Sequence, residues 1–507
     1  MRLNTVLLLC SVGLSQVCAP LLLAEQPSGA QVSEAQINRH GLTRAWTAQV
    51  AMDASSSELK HVVLFVDRTR SYTVHEITYD NRKEYISERD IDANGELLGV
   101  EGAKKKLDYR LLFIKSKKPV VTATVVPETI LVCVTSRGMV HVIDAETGRT
   151  RWSRLVGNPR FDTLAPAVTE NQIGIVCGNN LHLVRTVDGL PLKTIKLSHV
   201  AMAGPVISEG WAYIPRIDGT MDWYPVGEQT KLASYFRGTG HLESQASVHP
   251  GYVTWMTEKG YLYGLNAFTQ KVQFEIKLTG KPVGPPQYAG DYKIIAATRA
   301  GYVACIDLRT STVLWRYSTG EPMVHQPIVA GEFVYATNTT GLITKLHLST
   351  GVNIATGDVA WTATGVKELL AYANGRLYGI STLGELVAVD PESGAITDRI
   401  LVNQQDELNV FNPISNRLIL ANQRGLMQSL RPSSQMFPVF FPGSLETAKD
   451  GEDFLGKKKP ATAATKKTES DATGEKASEG ADPFGGASDG DKEPGGEKAP
   501  NADPFGT

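Results

Sequence analysis

Eight positions recur through most of this chain at a spacing of about forty residues. Gly138, Asn179, Gly219, Gly260, Gly301, Gly341, Gly384 and Gly425 stand 41, 40, 41, 41, 40, 43 and 41 residues apart. Two places after each come Val140, Leu181, Met221, Leu262, Val303, Ile343, Leu386 and Met427. Five places after come Ile143, Val184, Tyr224, Leu265, Ile306, Leu346, Val389 and Leu430. All sixteen followers are apolar or aromatic, although hydrophobic residues make up only 42% of the chain, so the period is structural. A fixed period of this length is the mark of a solenoid or a propeller.

The content of each repeat decides between them. Short β-rich runs precede the marks, such as Ile130–Val134, Phe333–Tyr335 and Leu418–Leu420. The Gly or Asn then suits a tight turn, since these residues enter positive φ at low cost. A second strand follows and ends in a turn such as Asp144-Ala-Glu-Thr147-Gly148 or Asp390-Pro-Glu-Ser393-Gly394, whose side chains can bond turn amides. In two repeats a tryptophan, Trp152 or Trp315, comes fourteen places after the mark. Turns recur too often for useful helices. The pattern predicts an all-β fold, a β-propeller of about eight four-stranded blades, with seven as the alternative count.

The last repeat lacks an outer strand, because Pro432, Pro438 and Pro442 disfavour an inner ladder. Arg44-Ala-Trp46-Thr-Ala-Gln-Val50 reads like Thr150-Arg-Trp152-Ser-Arg-Leu-Val156, so residues 44–50 are expected to supply that strand and close the ring. Residues 119–442 then hold the repeats. Residues 51–118 interrupt them and read as an insertion on the ring or as a degenerate blade. Residues 25–43 read as a flexible lead.

The two ends lie outside this pattern. Met1-Arg2 followed by the mostly apolar Val6–Leu23 reads as an export signal over 1–24, with cleavage after Ala24 or Ala19. Leu9 before Cys10 and Val17 before Cys18 do not suit lipidation. No later segment is apolar enough to span a bilayer. From 446 to 507 there are nine Lys, fourteen Asp or Glu and few apolar residues, a composition expected to stay disordered. Within that tail Ala481-Asp-Pro-Phe484-Gly485 recurs as Ala502-Asp-Pro-Phe505-Gly506, which suggests a two-copy peptide handle or a low-complexity duplication. A net charge of −2 offers no footprint for nucleic acid. Cys133, Cys177 and Cys305 each sit in apolar runs and read as buried free thiols, with one disulfide left open by spacing alone.

Gly138-x-Val-x-x-Ile-Asp144-x-x-Thr147-Gly148-x-x-x-Trp152, and Gly301-x-Val-x-x-Ile-Asp307-x-x-Thr310 with Trp315, resemble the repeat of the PQQ-like (pyrroloquinoline-quinone-type) β-propellers. The repeats at Asn179 and Gly219 are degenerate. The resemblance implies either a quinone-dependent dehydrogenase or a non-catalytic propeller of the BamB-like branch. The dehydrogenases carry an adjacent cysteine pair and calcium ligands in long loops between blades. This sequence has no adjacent cysteines and nearly uniform blades, so the non-catalytic branch is expected, with no catalytic residues, no bound cofactor and no PQQ. The expected role is an exported periplasmic or cell-envelope scaffold, monomeric, that binds envelope proteins or peptides. Alternatives are the dehydrogenase and a calcium- or glycan-binding surface module.

One motif bears on calcium. Asp90-Ile-Asp92-Ala-Asn94-Gly95-Glu96, continued to Glu101, fits the EF-hand loop pattern at every specified position. It makes Asp90, Asp92, Asn94 and Glu101 metal-ligand candidates, against a plain reading of Asn94-Gly95 as a turn. Gly451–Lys458 is one residue short of a phosphate-binding loop. Gly486-Ala-Ser488-Asp-Gly490 matches a nucleophile motif in the tail, with no scaffold around it.

Overall fold

The computed structural model describes residues 32–446 except 54, 81, 115–118, 228–231, 352–364, 401–406 and 442. The export-signal and tail readings, with the motifs inside the tail, lie outside the described residues. Eight antiparallel sheets follow one another along the chain. Blade 1 joins residues 59–67 to 128–155, and blades 2 to 5 span 167–196, 206–237, 247–277 and 287–318. Blade 6 has three strands among the described residues, within 328–347. Blade 7 spans 366–400, and blade 8 spans 407–432.

Every neighbouring pair of sheets shares an apolar core, and the sequence of shared cores is circular. Leu131 and Ile143 of blade 1 pack with Ile419 and Met427 of blade 8. Val132 of blade 1 packs with Ile175 of blade 2. The chain of cores continues through Leu181 with Ile214, Trp223 with Trp255, Leu262 with Ile306, Cys305 with Val334, Tyr335 with Leu369, and Tyr378 with Leu420. Eight interfaces between eight sheets make a closed ring, which leaves no sheet face uncovered.

The ring is closed by the N-terminal strand Leu42–Gln49, which pairs antiparallel with Leu426–Pro432 as the outer strand of blade 8. Residues 32–43 are not the loose lead the composition suggests. Ser33 caps a short helix, α1 (Glu34–Arg39), and Val32 and Ile37 are buried with Leu42 against blades 7 and 8. Two apolar side chains with a place in the core are enough to hold the segment.

The periodic glycines sit in the turn between the second and third strands. Gly138, Gly219, Gly260, Gly301, Gly341, Gly384 and Gly425 all have φ between 76° and 87°. A Cβ at Gly138 would lie 2.5 Å from the carbonyl oxygen of Val156, where the outer strand ends. Asn179 departs from this role. In blade 2 the positive φ falls on Gly178, one place earlier, and Asn179 spends its side chain on the Leu197 carbonyl at 3.3 Å.

Residues 51–118 hold both an inner blade strand and an insertion. The 21-residue strand Leu59–Tyr79 is shared by two structures. Its first part, 59–67, is the inner strand of blade 1, paired with 128–135. A register break between Asp67 and Ser71 follows, and 71–79 runs out of the ring paired with both 120–127 and Arg82–Ser87. This projecting sheet is backed by α2 (Gly99–Phe113), through Ala103 and Leu107 on Ile77 and Ile86. The excursion takes the place of the short turn that joins inner to second strand in the other blades.

Candidate protein-interaction face

The two faces of the ring are built from different turns. The glycine turns and the links between blades share one face, as in Val156 N–H donating to Gly138 at 2.8 Å. The inner-to-second-strand turns share the other with the Asp turns, as in Ala267 N–H donating to Gly251 at 2.9 Å. In those Asp turns Asp144 Oδ1 accepts from the amides of Glu146 and Thr147 at 3.1 and 3.0 Å. Asn266, Asp307 and Asp390 do the same for their own turns. The excursion and the chain end both emerge on this Asp-turn face.

After blade 8 the chain crosses the channel mouth as a strap, residues 433–441 and 443–446. Ser433 N–H donates to Gly41 at 2.8 Å, and Asn416 N–H to Val439 at 3.0 Å. The Phe441 ring packs edge-on to Tyr372 of blade 7 at 6.3 Å. On the far side Tyr288 of blade 5 donates to the Glu446 carboxylate at 2.6 Å. Burial first, and then Glu446, pushes the Tyr288 hydroxyl pKa up. Glu446, where the acidic tail composition begins, is thus tied to the ring.

Arg417 fastens the strap at its root. Its side chain is 3% exposed, pairs with Glu146 of blade 1 at 2.8 Å and donates to the Met436 carbonyl at 2.9 Å. A second charged group stands at the root of the excursion. Asp144 binds Arg89 and, at 2.9 Å, Arg151, which also reaches Glu128 at 3.0 Å. Burial raises the Asp144 pKa, and the two guanidiniums outweigh it and hold it below the ordinary value. The Arg89 guanidinium also lies 4.9 Å above the Tyr72 ring.

The strap leaves the side of blades 1 to 4 uncovered, where none of its residues lines the cavity. That cavity, of about 710 Å³, lies against the inner strands of blades 1 to 4, and a second of about 560 Å³ lies beneath the strap. Val63, Phe65 and Val248 form apolar walls common to both. Arg68 stands at the rim between Glu170, 3.9 Å away, and the Ser444 carbonyl, 3.4 Å away. His249 lines both cavities, stacks on Tyr288 at 5.6 Å and meets Thr254 Oγ1 at 2.7 Å. Full burial pushes its pKa down to about 3. Sequence reasoning pointed to none of these channel residues, because the inner strands are two to four residues long in several blades and carry no motif.

The calcium-loop candidates make local contacts. Asp92 Oδ1 accepts from the amides of Asn94 and Glu96 at 2.8 and 2.9 Å, which makes an Asx turn. Asp90 pairs with Lys106 at 3.0 Å. Glu101 is exposed in the first turn of α2. No group of three His, Cys, Asp or Glu side chains gathers at one point among the described residues. Cys133, Cys177 and Cys305 are free and buried, and burial lifts the Cys133 and Cys305 thiols to about 12. Trp152 and Trp315 sit on outer strands and donate to Thr186 and Leu348 of the following blade at 2.9 and 2.8 Å.

Residues 220–425, from the third strand of blade 3 to the glycine turn of blade 8, match the family described as outer membrane protein assembly factor BamB. No curated protein matches the chain. Among solved structures it is similar to BamB from Moraxella catarrhalis, at 15% identity and TM-score 0.48, over 60% of this chain and 91% of that one. It is also similar to the computationally designed Ika8 protein, at 12% identity and TM-score 0.47, over 59% and 92% of the two chains. Sqt1 from Saccharomyces cerevisiae follows at 10% and 0.44, again over 59% and 92%.

Proposed function

We propose that this chain is a non-catalytic, exported propeller scaffold of the bacterial cell envelope, and that it captures a segment of a partner protein at the uncovered side of its channel mouth. The cavity of about 710 Å³ carries this reading. Its size suits an inserted peptide segment, and its make-up does too, with apolar walls at Val63, Phe65 and Val248 and a charged rim at Arg68 and Glu170. The match of residues 220–425 to an assembly-factor family supports a scaffold, and the apolar run behind Met1-Arg2 supports export.

Photo-crosslinking tests it. A photoreactive residue at Val248, in the cavity, is compared with one at Phe161, which is 55% exposed on a link between blades on the opposite face. The expected result is one discrete envelope-protein adduct from Val248 and none from Phe161. Adducts from Phe161 alone, or from neither position, overturn the reading. Quinone titration with a dye and alcohol or sugar substrates, with and without calcium, tests the dehydrogenase alternative, and stoichiometric quinone binding would replace the scaffold reading.

A further inference from the structure

The last strand of the excursion has one edge with no paired strand among the described residues. Val120–Thr135 pairs with 59–78 along one side over its whole length. On its other side only Ile130–Val134 are paired, with 140–144. Residues 120–127 therefore end the projecting sheet and turn every second backbone amide and carbonyl outward. Proteins usually protect such an edge with charge, a bulge or a proline inside the strand. This one has none from 120 to 126, and its pairing with 72–78 is unbroken. Val120, Val121 and Val125 are 60%, 40% and 64% exposed.

The sequence of this edge reads the same in both directions. Pro119-Val-Val-Thr-Ala123-Thr-Val-Val-Pro127 is symmetric about Ala123. We propose that the edge pairs with the same edge of a second copy, antiparallel, around a twofold axis at Ala123. In that register Val120 meets Val126, Val121 meets Val125 and Thr122 meets Thr124, and each contact occurs twice, as an isologous interface requires. β-Branched residues directly opposite are favourable cross-strand pairs, and no like charges confront each other. The prolines at both ends cannot donate to a ladder, so they bound the pairing and oppose a slipped register.

The two three-stranded sheets then form one six-stranded sheet. Val121 pairs with Ile77, on which α2 packs, so both copies of α2 lie on the same face of it. A seven-residue ladder alone buries less than the roughly 1,200 Å² of a stable interface. An interface of that size fits a dimer that dissociates on dilution. The excursion lies outside the residues that match the family, 220–425.

Mass measured by light scattering across a concentration series tests this on the full chain. The unaltered protein should be a dimer that dissociates on dilution. V121K/V125K places like charges opposite each other and should be monomeric, with unchanged melting because both positions are exposed. V121K/V125E places opposite charges together twice and should restore the dimer. On oxidation A123C should give a covalent dimer and T122C should not, since only position 123 meets itself. A monomer at all concentrations, or a dimer indifferent to these changes, overturns the proposal. Failure of V121K/V125E to recover, with A123C and T122C equally cross-linked, overturns the register and with it the twofold pairing.

Discussion

The indole of Trp46 lies over the α-carbon of Gly148, and its ring N–H donates to the Ala145 carbonyl at 2.8 Å. Trp46 is on the outer strand of blade 8, and Gly148 closes the Asp turn of blade 1. The same contact joins Trp152 to Gly189 and Trp315 to Gly351. The glycine is needed twice over at 148: φ is 72°, and a Cβ would stand 2.6 Å from Trp46 Cδ2. Because Trp46 joins the two ends of the chain, this copy of the contact locks the ring. Trp46→Ala should cost about 3–5 kcal/mol, the range for removing a buried tryptophan. Gly148→Val should also destabilise the fold, with the combined variant less than additive. Denaturant midpoints of the three variants measure this, and full additivity would show that the two residues act apart.

Two glycines separate backbone strain from crowding. Gly331 has φ 61° and open space around its α-carbon. Gly301 has φ 81°, and a Cβ there would lie 2.9 Å from Thr319 Oγ1 and close against the Glu321 carbonyl. Gly331→Ala should therefore cost only the left-handed penalty, about 1 kcal/mol. Gly301→Ala should cost roughly 3 kcal/mol because the link to the next blade must also move. Equal thermal shifts in the two variants would refute the crowding argument.

Arg417 and Glu146 form a nearly buried pair, 3% and 12% exposed. Arg417→Met leaves the Glu146 carboxylate without that partner and the Met436 carbonyl without its donor, and should cost about 3–5 kcal/mol. Adding Glu146→Gln should recover part of the loss. Proteolysis after Met436 should also speed up in the single variant. If the strap is cut no faster, it is held mainly at its far end by Tyr288 and Glu446.

His249 makes stability depend on pH. Its folded pKa, about 3, is below the unfolded value near 6.5, so the unfolded chain binds the proton more readily between those limits. Its contribution is complete above pH 6.5 and is lost as pH falls from 6.5 towards 3. His249→Gln removes the proton site, so the difference in stability between variant and parent should change by a few kcal/mol over that window and stay flat above pH 7. A parallel pair of pH–stability curves would show that His249 is not shielded from water.

The repeat itself was legible from residues alone. Gly138 and its counterparts recur because the turn they occupy needs positive φ, and that need is local. The followers two and five places on fall on opposite faces of the strand, and both are apolar because each strand buries both faces between neighbouring blades. The closing strand could be found because Arg44–Val50 copies Thr150–Val156, and the free buried thiols because they sit in such strands. Other features have no local cause. Asn94-Gly95 serves as a turn here because Asp92 bonds its own backbone and Lys106 of α2 meets Asp90, a contact made only when the helix packs. Leu59–Tyr79 reads as one strand, yet its first half belongs to the ring and its second half leaves it. That division depends on what the two halves of Val120–Thr135 pair with. The channel mouth is likewise made by short segments far apart in sequence, Arg68, Glu170, His249 and Ser444, which carry no shared pattern. Local propensity and periodicity determined the blades, whereas ring closure decided which residues face the channel and long-range strand pairing decided which edge was left open.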